Sequence, residues 1–197
     1  MEFGEVLRRR RMVRHHLPDP VEDTVLDRIV AAGRRAPSAG NTRGQRFVIV
    51  TSAATRAAIA DLAGEPGYVG AGFDPWLSTA PAHIVLCTDP DAYRSRYRED
   101  DKRTDADRWP VPYWWVDAGA SLMAVLLAAV DEGLTAGFLG AHAVPGLGEL
   151  LGMPPTVEPV GVVTVGRAAP ARRPGSLDRP PPPWDEVVHR DRWGGRR

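Results

Sequence analysis

The chain has 197 residues, 43% of them hydrophobic, which suits one globular domain of ordinary size. Lys plus Arg and Asp plus Glu both number 25, so the overall charge excludes a chain-wide attraction to nucleic acid or to an anionic membrane. The single cysteine, Cys87, excludes an internal disulfide framework, and the N-terminal arginines are not followed by the apolar run of an export signal. We therefore expect a cytoplasmic protein.

The first predicted elements are helices. Residues 2–10 and 17–33 place apolar side chains at helical spacing, with Pro20 in the first turn of the second helix and Gly33 at its end. Ser52 offers an N-cap for a third helix that follows the first strand.

Four short apolar segments predict β-strands. Residues 46–51 and 82–88 are nearly all apolar and rich in β-branched side chains, as in central strands covered on both faces. Residues 134–140 and 159–166 predict two more strands, with a short helix around 145–152 between them. Strands alternating with helices predict an α+β fold, an α/β sandwich of four to five strands with helices on both faces.

The most apolar segment runs from Val116 for about 15 residues, short of the ~20 that a bilayer requires. It carries Asp117 and Ser121 near its start. We expect a buried helix and no membrane span.

Two segments differ in composition from the rest. Residues from about 89 to 115 are charged and aromatic, which predicts an excursion over the core that is helical around 92–98. From about residue 167 the tail is rich in Pro and Arg, and its stretch RPPPPW is too stiff and too poor in donors for a regular element.

The arginine run at residues 8–11, continued by Arg14, is the first candidate site. Guanidinium groups clustered at the end of a short helix can hold a phosphate through several charge-assisted hydrogen bonds. A solvated basic face is the alternative. A nucleic-acid arm is opposed by the neutral total charge and by the nearby acids Asp19, Glu22 and Asp23.

Two loops are further candidates. In residues 34–47, RRAPSAGNTRGQRF, small residues let backbone amides approach a flat ligand, and Ser38 and Asn41 add short polar arms. Ordinary turn chemistry is the alternative there. The strand end at Gly140 and Ala141 can point backbone amides into a cleft, although any strand end contains such residues.

Taken in order, these motifs resemble the nitroreductase-like FMN-dependent oxidoreductases. RRMVRHHLPDPV is similar to the family opening RRSxRxFxxxPV, APSAGNTRGQRF to its loop APSxxNxQPWxF, and LGMPPTVEPVGVVTVGRA to its last core strand. The resemblance covers residues 3 to about 193. It implies one domain over residues 1–197, a mostly antiparallel sheet, and a homodimer with FMN at the subunit interface.

The resemblance also implies the site residues. The implied FMN contacts are Arg10, Arg11, Met12, Arg14, Pro37, Ser38, Ala39, Asn41, Arg43, Phe138, Leu139, Gly140, Ala141 and Arg179. The opening arginines would hold the phosphate, the Pro37 loop would reach across to the partner's flavin, and the strand-end backbone would face flavin N5. Arg172 and Arg173 stand behind Arg179 as further phosphate candidates.

This sequence departs from the family pattern at two places. Met12 stands where a serine is usual, so one polar contact is lost. Arg43 stands where glutamine is common, and Gly44 and Gln45 replace the usual Pro-Trp pair, which opens that end of the pocket.

The aromatic side chains of the excursion have two interpretations. They either form a substrate wall over the flavin or pack the excursion onto the core or across the dimer. The candidates are Tyr93, Tyr97, Trp109, Tyr113 and Trp114. No metal is expected, because the five histidines show no ligand spacing with cysteine or acids.

The implied reaction is a ping-pong hydride transfer from NADPH or NADH through FMN to an electron-poor acceptor, such as a nitroaromatic, a quinone or a conjugated imine or enone. The sequence names no catalytic side chain. A specialised biosynthetic reductase or dehydrogenase of the same fold, and a non-catalytic flavin- or deazaflavin-binding protein, are the alternatives.

Overall fold

The computed structural model describes residues 1–170 and 178–195. The helices are α1 (Phe3–Arg9), α2 (Asp23–Gly33), α3 (Ala53–Leu62), α4 (Glu65–Gly70), α5 (Pro90–Tyr97), α6 (Tyr113–Asp131), α7 (Leu147–Leu150) and α8 (Trp184–Val187). The strands are β1 (Gln45–Val50), β2 (Ala82–Thr88), β3 (Thr135–Gly140) and β4 (Glu158–Gly166). Short 3-10 turns lie at Ala39–Asn41, Ala106–Arg108 and Ala141–Ala143.

The four strands form one sheet in the order β1-β2-β4-β3, and every neighbouring pair is antiparallel. The predicted α+β class and the mostly antiparallel sheet are confirmed. β2 is buried along its whole length, as predicted. β1 is an edge strand, so the prediction that it is central is wrong. Both of its faces are nevertheless covered, as predicted: Phe47 and Ile49 pack against one core, Val48 and Val50 against the other, and Arg46 is exposed.

Helices cover both faces of the sheet. On one face Leu26 and Ile29 of α2 and Val125 of α6 pack against Ile84 and Val163. On the other face Ile59 of α3 and Leu147 of α7 pack against Val85 and Val162. Apolar side chains that alternate along β2 and β4 thereby supply both cores.

Several helix boundaries differ from the prediction. α2 begins at Asp23 after the N-cap residue Glu22, so Pro20 lies outside the helix and not in its first turn. The predicted cap of α3 is confirmed, because the Ser52 side chain accepts a hydrogen bond from Thr55 N–H. α4 and α8 were not predicted, and residues 180–183 form no regular element, as expected.

Helix α6 is longer than predicted, with 19 residues. By length and composition alone it could cross a membrane, with a mean hydropathy of 1.5. Its inner face, which includes Val125 and Ala129, packs in the core. Ser121 donates to the carbonyl of Gly33 at 2.9 Å, which ties α6 to the end of α2.

Candidate functional site

The arginine-rich segment lies along the outer edge of β3. Met12 forms a parallel bridge with Ala136, and Val13 N–H donates to the Ala136 carbonyl at 2.9 Å. A Cβ on Gly137 would overlap the Val13 carbonyl oxygen, so this approach requires glycine. The fold therefore places the arginine segment on the strand that leads to the predicted strand-end motif at Gly140.

The arginines of this segment are not neutralised. Arg10 is half-buried at the end of α1, and Arg11 and Arg14 are exposed. None of the three forms an ion pair within residues 1–170 and 178–195, whereas Arg9 pairs with Glu5 at 2.5 Å. Their positive charge is therefore available to an anion.

Arg14 has an aromatic neighbour that sequence reasoning missed. Its guanidinium carbon lies 5.5 Å from the centre of the Trp76 ring, a cation–π geometry that limits the motion of the long side chain. Nothing in the spacing of Trp76 indicates this contact, because the two residues lie on separate loops.

The end of β3 offers backbone to a ligand. Phe138, Leu139, Gly140 and Ala141 are all half-buried. The imidazole of His142 lies against Gly140, where an ideal Cβ would come within 2.7 Å of Nδ1. A side chain at position 140 would thus displace this ring, so Gly140 and His142 form one packed unit.

The loop from Pro37 to Arg43 is held by its own polar groups. Ser38 Oγ accepts from Arg43 N–H at 2.9 Å, and Asn41 Oδ1 accepts from Arg43 Nε at 3.1 Å. Gly40, Asn41 and Arg43 have positive φ angles of 62°, 54° and 56°. The polar arms of Ser38 and Asn41 therefore shape the loop, which is the turn chemistry considered as the alternative. Pro37 is exposed and Ala39 half-buried.

A buried carboxylate anchors this loop to the core. Asp117 of α6 is 7% exposed, and its Oδ2 accepts from Ala39 N–H at 2.8 Å and from the Tyr93 hydroxyl at 2.7 Å. Burial, together with the hydrogen bond to Asp117, raises the pKa of Tyr93. An acid within an apolar helix was the available signal, but sequence reasoning used Asp117 only against a membrane span.

One buried donor at the end of the loop has no partner. Gln45 is 9% exposed, and its Nε2 makes no hydrogen bond to any residue that the structure describes. An unpaired buried donor costs free energy, so an acceptor supplied by a ligand or a second chain would stabilise this position.

The aromatic residues of the excursion form one cluster around Trp109. Its ring centre lies 4.6 Å from that of Tyr97 and 5.3 Å from that of Tyr113. Tyr93 is fully buried and Trp114 nearly so, which favours the packing interpretation for these two residues. Tyr113 is 47% exposed, and Tyr97 and Trp109 are half-buried.

The predicted cofactor residues do not all meet within one chain. β1, which the Pro37 loop enters, and β3 lie at opposite edges of the sheet, three strand spacings apart. At 4.7–4.9 Å per spacing they are about 14 Å apart. Arg179 is exposed in the tail, and Arg172 and Arg173 lie outside the described residues.

The described ranges, 1–170 and 178–195, contain no group of three or more His, Cys, Asp or Glu side chains that could hold a metal ion.

Comparisons with known proteins bear on the fold and the family of the chain. The chain is 27% identical over 197 residues to the FMN reductase (NAD(P)H) of Bacillus subtilis, covering 92% of this chain and 70% of the reductase. It is 51% identical over 55 residues to the 5,6-dimethylbenzimidazole synthase of Rhodobacter capsulatus, but that match spans only 28% of this chain and 27% of the synthase. The fold is similar to that of NfrA2 from B. megaterium, with a TM-score of 0.77 at 23% identity, covering 98% of this chain and 75% of NfrA2.

The sequence profile of the Nitroreductase family matches residues 7–167, which include the arginine segment, the Pro37 loop and all four strands. This chain belongs to the nitroreductase family.

Proposed function

We propose that the chain is an FMN-dependent oxidoreductase that takes hydride from NAD(P)H and delivers it to an electron-poor small molecule, such as a nitroaromatic, a quinone or a conjugated imine or enone. The observation that carries this proposal is the set of arginines without acidic partners beside the first half of β3, the strand that ends at Gly140, in a chain of this family. We infer that the enzyme works in the cytoplasm.

The donor groups of the chain fit a flavin mononucleotide. Arg10, Arg11 and Arg14 offer guanidinium groups to a phosphate, and guanidinium–phosphate hydrogen bonds are among the strongest that side chains form. Gln45 Nε2 offers an unpaired donor to a polar ring edge. Met12, half-exposed in the same segment, offers only apolar contact where a serine would donate.

When bound, FMN supplies the hydride chemistry, and the chain supplies position and electrostatics. The backbone at Gly140 and Ala141 carries little side chain, so its amides can approach a ring edge that gains negative charge on reduction. The exposed ring of His142 lies over Gly140, so a side chain at position 140 would meet it.

We also propose that two copies of the chain form the site. The arginine segment and the Pro37 loop lie at opposite edges of the sheet, and the family resemblance places the loop against the flavin of the partner chain. Apolar side chains for such an interface are exposed on α1 and α6: Phe3, Leu7, Trp115, Val116 and Met123. Exposed apolar surface on this scale is typical of interfaces between subunits.

The spectrum of the purified protein tests the proposed function. We expect a yellow protein whose absorption band near ~450 nm bleaches anaerobically with NADPH or NADH and returns when a quinone is added. A flavin band that neither donor bleaches would favour a non-catalytic flavin-binding protein. A colourless chain that gains no FMN on titration would contradict the proposal.

Replacement of the site arginines tests the phosphate assignment. Arg10→Ala and Arg14→Ala should each weaken FMN affinity about ten-fold, because each removes a charge-assisted hydrogen bond. Arg9→Ala is the matched control, since Arg9 is exposed and already paired with Glu5. Fluorescence titration of FMN into the apoproteins measures the three affinities. Equal FMN affinity in all three variants would contradict the phosphate assignment and would favour a solvated basic face for the arginine run.

A second candidate rests on the 51% identity over 55 residues to 5,6-dimethylbenzimidazole synthase. This candidate is an example of the specialised biosynthetic reductase or dehydrogenase that the sequence leaves open. Chromatography of aerobic reactions that contain the protein, FMN and NADPH would reveal 5,6-dimethylbenzimidazole if this candidate is right. Quinone turnover without that product favours the general reductase.

A further inference from the structure

A cationic hollow opens on the surface of the excursion, outside the site described above. It has a volume of about 640 Å³ and is lined by Arg98, Arg103, Thr104, Asp105 and Arg108. The loop that carries it is held by a hydrogen bond from Thr104 N–H to the Tyr97 carbonyl at 2.9 Å. Three arginines against one aspartate leave the hollow with a net positive charge.

The arginines of the excursion fall into two groups. Arg94 pairs with Asp91 and Asp107, and Arg96 pairs with Glu99 and Asp101, so their charges are compensated. By contrast, Arg98 and Arg108 form no ion pair within the described parts of the chain. The two uncompensated arginines are the ones that line the hollow.

The remaining charged groups of the hollow do not neutralise it. Arg103 meets Asp100 only at 3.5 Å, with both side chains largely exposed, a geometry that contributes little. The Asp105 carboxylate accepts from Asp107 N–H at 3.0 Å and caps the turn at Ala106–Arg108. Thr104 adds a hydroxyl to the lining.

The hollow adjoins the loop assigned to the flavin. Arg98 directly follows Tyr97, and a Cβ on Gly40 would lie 2.8 Å from Cε2 of the Tyr97 ring. Arg96 Nε donates to the Gly40 carbonyl at 2.9 Å. The residues that line the hollow are therefore next in sequence to the two side chains that hold this loop at Gly40.

We propose that this hollow binds the adenosine 2′-phosphate of NADPH and makes NADPH the preferred donor. The inference rests on the proposed function, in which a nicotinamide nucleotide reduces the flavin. NADPH differs from NADH only by this phosphate, and arginine is the side chain that proteins use to accommodate it. Arg98 and Arg108 supply two uncompensated guanidinium groups, and Thr104 supplies a neutral donor.

Binding of nucleotide fragments tests this inference without turnover. The FMN-loaded protein is titrated with 2′,5′-ADP, which carries the phosphate, and with 5′-AMP, which lacks it, by calorimetry. We expect 2′,5′-ADP to bind at least about ten-fold more tightly than 5′-AMP, because one charge-assisted hydrogen bond to the 2′-phosphate accounts for a difference of that size. Arg98→Gln and Arg108→Gln should each reduce that preference several-fold and raise KM for NADPH while KM for NADH is unchanged.

Arg28→Gln is the charge-matched control, because Arg28 is exposed and pairs with Glu132 away from the excursion. A wild-type protein that binds both fragments equally, or hollow variants that weaken both fragments alike, would overturn the inference. If flavin retention and quinone reduction persist in that case, the proposed function stands. If the chain retains no FMN, the proposed function fails, and the titration of the apoprotein still reports on the hollow.

Discussion

Asp117→Ala is expected to destabilise the fold by about 3 to 5 kcal/mol. The substitution leaves Ala39 N–H and the buried Tyr93 hydroxyl without their shared acceptor, and each unpaired buried donor costs about 1–3 kcal/mol. Because Ala39 belongs to the Pro37 loop, FMN affinity should fall together with stability. Urea unfolding monitored by circular dichroism gives the first quantity, and FMN titration gives the second.

Asp117→Asn tests whether the hydrogen-bond acceptor or the negative charge of Asp117 is needed, because the variant keeps an acceptor oxygen and removes the charge. Both donors bind the same carboxylate oxygen, Oδ2, so an amide oxygen in its place can accept both hydrogen bonds. We expect this variant to lose only about 1 kcal/mol and to retain FMN. Tyr93→Phe should fall between the two, as it removes one donor and leaves the contact with Ala39. Equal stability of the alanine and asparagine variants would show that Asp117 does not anchor the loop.

Mild acid is expected to destabilise the protein through two buried histidines. Burial lowers the pKa of His16 and of His83 to about 4, from an ordinary value of 6.5. His83 Nε2 lies 2.8 Å from the Leu77 carbonyl and must donate to it, while its Nδ1 is buried and without a partner among the described residues. A proton on Nδ1 would place a positive charge in a desolvated position that Arg56 also disfavours, and the Glu65 carboxylate offsets this cost only in part.

The direction of the effect follows from the two pKa values. Between about pH 6.5 and pH 4 the unfolded chain binds protons that the folded chain does not bind. The stability that the neutral histidines contribute is complete above pH 6.5 and is lost as the pH falls toward 4. At pH 5 each histidine should cost on the order of 2 kcal/mol, so the pair removes a large part of a typical domain stability.

Urea unfolding at several values between pH 5 and pH 7.5 measures this loss. In the double variant His16→Gln, His83→Gln the decline should be much shallower, since glutamine does not titrate and can still donate to the Leu77 carbonyl. The wild-type protein and the double variant contain the same carboxylates, so any difference between their pH dependences comes from the two histidines. An identical pH dependence in the double variant would assign acid sensitivity to other groups.

The strands could be predicted because their signal is local. Apolar, β-branched runs bounded by polar residues marked all four strands to within one or two residues, and burial of β2 followed from its uninterrupted apolar run. The helices without such a signal were missed: α4 and α8 are short, and few of their side chains reach the core. α6 proved longer because its first turn is aromatic, Tyr113 to Trp115, where sequence reasoning had placed the end of the excursion.

Part of the candidate site could be predicted because its motifs, like the strands, are local in the sequence. The arginine segment and the strand end at Gly140 were recognised from ordered motifs, and the structure places the segment against the same strand, near its start, through Met12 and Ala136. The contact between Asp117 and Ala39 joins residues 78 positions apart, and that between Arg14 and Trp76 joins two loops. Such contacts depend on tertiary packing, which no local spacing encodes. The assignment of residues to FMN and the single-domain boundaries stay predictions.

Residues 11–13 also protect the sheet. β3 is the last strand, so without them its outer row of peptide groups would face solvent as a template for pairing with other chains. The short segment that shields this edge carries the arginines assigned to the phosphate. Loss of an anion from them would leave their mutual repulsion uncompensated and loosen the shield. If these arginines hold the cofactor phosphate as proposed, we expect the apoprotein to aggregate more readily than the FMN-loaded protein.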